Sequence, residues 1–361
     1  MADWGGGVAR AQTELPGMGD VSPVLSQRRM LALAPIVLTF AYPFVLKLFH
    51  ASVVGPDALG WGAGAILFAL LMSVPIVGLI WAQRIALLPD APAPFFIRAR
   101  QLAYCTMIAP PLYVFIGVTR GLVGRPLTDE TVWLGVWCIA LACVWLRADK
   151  PVATAQAAAT AAATTSRWRV AHGVSAAFIV LFVGFHLTNH LTGLIGPDLH
   201  ASIMHAGRAV YRAPLVEVVL VGFLLFQAVS GIRLAVRWSR TSGDAFRVFQ
   251  IGSGVYIAAF LITHLNSALV SARWVRHIET DWAWASGAPE GLLYDAWNIR
   301  LVPHYAFGVL FVLSHLFSGL RLILIAHGAN VQLANRIWFA GLAISAVVAC
   351  AIMAGLLGMR V

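Results

Sequence analysis

His186 and His264 are the residues whose type and position promise chemistry. His186 lies in RVAHGVSAAFIVLFVGFHLTNHL, roughly eighteen residues after the basic start of that apolar run. His264 lies in FRVFQIGSGVYIAAFLITHLNSAL, roughly seventeen residues after its own basic start. At about 1.5 Å of rise per residue, both imidazoles fall in the same outer third of a bilayer. A lone histidine buried in lipid is costly, so two at one depth call for a shared partner. Haem iron, taking one axial nitrogen from each of two facing helices, meets that demand.

A second position lies deeper. His315, in LVPHYAFGVLFVLSHLFSGLRL, belongs to the inner half of its span, and the residue at matching depth on a neighbouring run is Gln227. A glutamine amide oxygen binds iron weakly beside imidazole. A five-coordinate haem, a haem with another ligand and an empty inner site all remain open. His172, near the inner end of its run beside Arg169, is placed to contact a haem propionate or to snorkel.

His190, His200, His205 and His304 gather toward the outer surface, with Glu217 at the outer start of its run. A quinone headgroup needs a hydrogen-bonding group at each carbonyl and a proton route to water. His190, His205, Glu217 and His304 are the candidates for that task. His277 and His327 read as loop residues.

The elements that must hold these side chains are membrane helices. Of 361 residues 60% are hydrophobic and only 11% charged, where a soluble domain carries about a quarter charged. Apolar runs of about 20 residues, each long enough to cross a bilayer, recur at about 30–52, 61–83, 101–119, 130–146, 169–193, 214–236, 248–271, 301–325 and 336–358. The expected fold is therefore an all-α polytopic membrane protein with about nine transmembrane helices, ending in a five-helix haem-binding bundle.

The net charge of +10 reads as topology, since no arginines interleave with aromatics as in a nucleic-acid groove. Arg10, Arg28, Arg29, Arg84, Arg98, Arg100, Arg147, Lys150, Arg167, Arg169, Arg237, Arg240, Arg247, Arg321 and Arg336 fall on one side, and fewer basic residues on the other. The positive-inside rule then sets the N-terminus in the cytoplasm and the C-terminus outside, in the inner (cytoplasmic) membrane. The four cysteines, Cys105, Cys138, Cys143 and Cys350, lie inside spans, and no C-x-x-C-H occurs. That excludes a disulfide framework and thioether-linked haem, leaving the non-covalent b type.

Four segments follow: a cytoplasmic tail (1–27), a four-helix membrane region (28–149), an alanine–threonine linker (150–167) and the five-helix region (168–361). The halves echo one another. Gly55-Pro56-Asp57 follows the first span as Gly196-Pro197-Asp198 follows the fifth, and Arg98-x-x-Gln101 matches Arg247-x-x-Gln250. A degenerate duplication would align Phe115 with His264.

From about residue 169 onward the chain resembles the membrane cytochrome b subunit of succinate:quinone oxidoreductases and quinol:fumarate reductases (the complex II family). The residues that carry the resemblance are His186-Leu187-x-Asn189-His190, then His205 and Glu217, Phe246-Arg247, and His315-x-x-x-Gly319-Leu320. The resemblance implies distal-haem ligands at His186 and His264 and a proximal ligand at His315, with Gln227 replacing the second-helix histidine. It also implies a flavoprotein and an iron–sulfur protein docked on the cytoplasmic face, with electrons passing to or from a membrane quinone such as menaquinone. Consistent with that division of labour, the chain has no Rossmann glycine fingerprint and no cluster-ligating cysteine set.

Three rival readings compete. A di-iron membrane oxygenase is suggested by His186-x-x-x-His190 and His200-x-x-x-x-His205, although no His-His dipeptide occurs. A transporter with histidine proton relays would need broken helices or paired acidic residues at mid-membrane. A cytochrome b serving a different reductase has the same sequence signature.

Overall fold

The computed structural model describes residues 23–55, 61–124, 126–152 and 158–361, and among these the regular structure is helix, with no strand. In lipid, backbone N–H and C=O groups have no water to bond, and helices satisfy them internally. The N-terminal half contains α1 (Pro23–Ala32), α2 (Pro35–Val54), α3 (Trp61–Ala86), α4 (Pro94–Thr106), α5 (Ala109–Val123) and α6 (Asp129–Leu146). The second half begins with α7 (Ala158–Thr192), α8 (Pro197–Tyr211), α9 (Pro214–Trp238) and α10 (Ala245–Leu265). A π-helical segment, Asn266–Val275, prolongs α10 directly after Leu265. Short α11 (Trp282–Ser286), α12 (Gly291–Tyr294) and a 3₁₀ turn (Asn298–Arg300) lead to α13 (Leu301–Ala326) and α14 (Val331–Leu356).

Eight helices among the described residues are long and apolar enough to cross a membrane, or nine if the bent pair α4–α5 forms one span. This is a polytopic helical membrane protein. The run expected as a straight span over 101–119 is two helices meeting at 65°. Pro110 and Pro111, in the first turn of α5, lack the N–H groups that would continue α4 and crowd the turn before them. The alanine–threonine stretch also differs from a separate linker: α7 already begins at Ala158, since alanine is the strongest helix former. Residues 1–22, 56–60, Arg125 and residues 153–157 lie outside the described residues, and with them most of the tail and, at Pro56 and Asp57, part of the proposed repeat.

The five C-terminal spans close a ring. α7 packs on α9 and α14, α9 on α10, α10 on α13, and α13 on α14. The α13–α14 approach is close because a Cβ on Gly341 would meet the Phe317 ring at 2.1 Å. The N-terminal helices cover one flank: α3, α4 and α5 lie against α10, and α5 also against α13. Tyr256, Phe307 and Phe311 from this flank join one buried core with Tyr42, Tyr113 and Trp133. On the other flank Val174, Phe178 and Leu181 of α7 and Val218, Val229 and Val236 of α9 are exposed. Apolar side chains on a spanning helix face lipid there.

Two polar clamps bind the halves. Buried Asp129 accepts from Arg120 and, at 2.8 Å, from Arg300 Nη1. The Arg300 guanidinium also lies over the Tyr113 ring at 4.5 Å. A Cβ on Gly117 would stand 2.3 Å from Arg300 Nη1, so the close approach requires glycine. At the opposite end of the bundle, Arg100 donates twice to the Ser239 carbonyl, at 3.1 and 2.6 Å. That carbonyl sits just past α9, where helix carbonyls lack intrahelical partners.

Candidate functional site

The structure brings His186 of α7 and His264 of α10 together, with ring centres 6.0 Å apart and ring planes at 70°. The backbones of α7 and α10 are not among the closely packed helix pairs, so the two helices meet here through these side chains. Each ring is held in the same manner. Phe182 stacks on His186 at 5.5 Å and 18°, and Phe260 on His264 at 5.7 Å and 14°. Both phenylalanines precede their histidine by one helical turn, the spacing at which side chains on a helix meet.

This separation suits one metal between two imidazoles. A metal–imidazole nitrogen bond is about 2.0–2.1 Å, so rings on opposite sides of one ion have centres about 6 Å apart. Both histidines are half-buried rather than sealed in the core. Among the described residues no group of three or more His, Cys, Asp or Glu converges on a metal site, and a haem needs only two axial side chains.

The pair belongs to a row of rings that runs across the outer end of the bundle. His304 lies 4.6 Å from Phe260. His190 lies 4.7 Å from His186 and 5.4 Å from His200, which in turn lies 4.8 Å from Trp282. Asn189 Nδ2 and His200 Nε2 are 3.1 Å apart. The Nδ1 atoms of His190, His200 and His304 and Oδ1 of Asn189 are buried with no protein partner. Buried polar atoms are rarely left without one, so this row presents hydrogen-bonding capacity that the chain itself does not use.

His205 and Glu217 stand apart from the row. His205 is exposed on α8, and Glu217 forms a bidentate pair with Arg273 on the π-helical segment. No ring contact or hydrogen bond described for either joins it to the histidine row. His200 lies on α8, outside the candidate spans. Burial pushes its imidazole below the usual histidine range; the nearby Arg208 adds to that effect and Asp281 opposes it. Arg208 is anchored to Glu279 at 2.7 Å and to the Thr280 carbonyl at 2.9 Å.

At the inner level Gln227 and His315 face different helices. The Gln227 amide donates to the His172 carbonyl at 2.8 Å and to Ser175 Oγ at 2.7 Å, both on α7. His315 turns toward α10, with Ser253 Oγ 2.9 Å from its Nδ1 and Gln250 Nε2 3.3 Å from its Nε2. His172 Nδ1 lies 2.7 Å from Ser230 Oγ on α9. The rotation of α9 aims Gln227 at α7 and not at His315.

Sequence reasoning missed Phe182 and Phe260, although a shared F-x-x-x-H spacing marks both. It also missed Ser230 and Ser253, each followed by glycine, and the Asp129–Arg300 pair. His277 is exposed, and His327 Nδ1 bonds the Ile323 carbonyl at 2.8 Å; both are peripheral. The four cysteines are free and exposed on helix faces.

Comparisons of the chain with protein-family models, with curated proteins and with solved structures found no match.

Proposed function

We propose that this chain is a membrane cytochrome b, a haem b-containing anchor subunit that passes electrons between a membrane quinone and a soluble redox partner. The approach of the His186 and His264 rings to 6.0 Å, each stacked on its own phenylalanine, carries the reading. In this reading the bent pair α4–α5 is one span, giving nine. The N-terminus lies in the cytoplasm and the C-terminus outside the inner membrane, as the arginine distribution favours.

His186 and His264 hold the haem, and Phe182 and Phe260 fix their ring planes and keep water from them. The group, when bound, supplies one-electron transfer, with the helices setting its position and dielectric. The outer row serves the quinone headgroup. His190, His200 and His304 offer ring nitrogens without protein partners, and α8 with His200 connects that row to the surface. His205 and Glu217 remain candidates for the proton route to water, Glu217 through its pair with Arg273.

The resemblance of residues 169–361 to complex II anchors supports an iron–sulfur protein and a flavoprotein as cytoplasmic partners, in succinate oxidation or fumarate reduction. A histidine-box di-iron centre is less well supported, because three or more metal-binding side chains do not converge among the described residues.

The test is to purify the full chain from membranes supplied with excess haem and record reduced-minus-oxidised spectra, with co-purifying subunits identified. Sharp b-type bands that a quinol reduces are expected. A colourless protein would overturn the reading.

A further inference from the structure

We propose a site for one anionic phospholipid where α7 meets α9 at the arginine-rich end of the bundle, with Arg233 taking the phosphate and Trp168 holding Arg233. It stands apart from the haem reading and needs only that these helices span a membrane.

The anchor is an aromatic contact between the two helices. Trp168 lies beside Arg167, where the α7 span begins, and stacks on Phe226 of α9 at 5.8 Å and 12°. Arg233 follows Phe226 by about two turns of α9, and its guanidinium lies over the same indole at 4.7 Å from the ring centre. A ring face attracts the cation while the N–H donors at the guanidinium edge stay free to bond elsewhere.

No described part of the chain takes those donors. Among the described residues every other arginine stacked on a ring of a second element also has a hydrogen bond. Arg29 donates to Asp149, Arg300 to Asp129, Arg321 to Asn335, and Arg360 to the Gly355 carbonyl. Arg233 has the indole and no hydrogen bond or ion pair. The carboxylates described at this end are engaged elsewhere: Asp90 by Arg28, Asp149 by Arg29, and Asp244 by the Arg247 backbone N–H.

The surroundings supply lipid. Val229, Ile232 and Val236 flank Arg233 on α9, Val170 and Val174 lie on α7, and all five are exposed, as side chains facing acyl chains are. Arg233 is exposed among them. It precedes Arg237 by one turn, which sets its backbone about 6 Å further into the membrane. A full charge with unused donors is costly at that depth. A long side chain relieves the cost by reaching toward the headgroup layer, where a phosphodiester accepts two parallel N–H bonds from a guanidinium. Arg167 and Arg169 add positive charge at the boundary, which favours an acidic headgroup over a zwitterionic one.

The experiment strips the full chain of lipid in detergent and titrates it with phosphatidylglycerol or phosphatidylcholine, counting bound lipid by native mass spectrometry. Wild type should retain one phosphatidylglycerol at concentrations where phosphatidylcholine has dissociated. Arg233→Gln should weaken that binding about tenfold, as loss of a charge-assisted contact implies. Trp168→Leu keeps every charge and should weaken it as well. Arg336→Gln, which removes an exposed arginine of α14 at the same end, should bind as wild type does. Equal affinity for the two lipids would overturn the site, as would wild-type affinity in either Arg233→Gln or Trp168→Leu. Equal losses in Arg233→Gln and Arg336→Gln would overturn it in favour of diffuse surface charge. Displacement of the bound lipid by inorganic phosphate would overturn the lipid as the occupant.

Discussion

His186 and His264 meet ring to ring at 6.0 Å across the interval between α7 and α10, whose backbones are not among the closely packed helix pairs. Ordinary core packing would fill such an interval with aliphatic side chains. Here two imidazoles occupy it, each backed by a phenylalanine one turn earlier on its own helix.

Removing either member of this pair should remove the outer haem. His186→Ala and His264→Ala are expected to abolish its absorption bands. His304→Ala should leave them, since among the described ring contacts Phe260 stands between that ring and His264. Reduced-minus-oxidised spectra at equal protein concentration decide it, and full bands in either of the first two variants would refute the ligand assignment.

The support behind His264 can be tested without touching a histidine. A Cβ on Gly308 would come within 2.3 Å of the Phe260 ring, so Gly308→Ala must displace the ring that stacks on His264 and lies tilted against His304. Overpacking of this kind costs about 1–3 kcal/mol. The outer midpoint potential should shift and the apparent Tm fall. An unmoved potential would show that Phe260 plays no part in setting it.

The joint between the halves depends on a buried carboxylate. In Asp129→Asn, Arg300 loses its ionic partner while its side chain remains only 8% exposed. Breaking a buried pair by removing one partner costs about 3–5 kcal/mol. Thermal denaturation in detergent should show a marked fall in apparent Tm with the haem spectrum intact before melting. A Tm equal to wild type would mean that the clamp is dispensable.

His200 gives the chain a stability that weakens in acid. Its folded-state affinity for protons is depressed, so the unfolded state binds the proton first as pH falls below the ordinary histidine value of about 6.5. Stability is fully present above that value and declines from there toward the folded-state value. Apparent Tm measured between pH 8 and pH 5 should drop in wild type and drop less in His200→Asn. Parallel curves for the two would remove His200 as the source.

The spans were legible because each is an uninterrupted apolar run, and hydropathy reports that directly. The bend between α4 and α5 was not, because averaging over the run hides Pro110 and Pro111, each apolar by composition but disruptive by geometry. Depth was legible too: counting from the basic starts puts His186 level with His264, and the structure brings those rings together. Rotation was not. The direction of Gln227 depends on how α9 packs against α7, and no count along α9 contains that. Ser230 and Ser253 escaped notice for a similar reason, since a serine–glycine pair in a spanning helix has many uses until a histidine from the next helix is seen beside it.

The two flanks of the five-helix ring differ in what they tolerate. Leu181, 77% exposed on α7, points where acyl chains would lie, so a spin label or fluorophore placed there has room to turn. At Gly252 on α10 even a methyl group would meet Leu79 and Met107 at 2.8 Å. Reporters of the histidine row therefore belong on α7, within a helix's length of both levels, and crosslinks that freeze the two halves belong on α10.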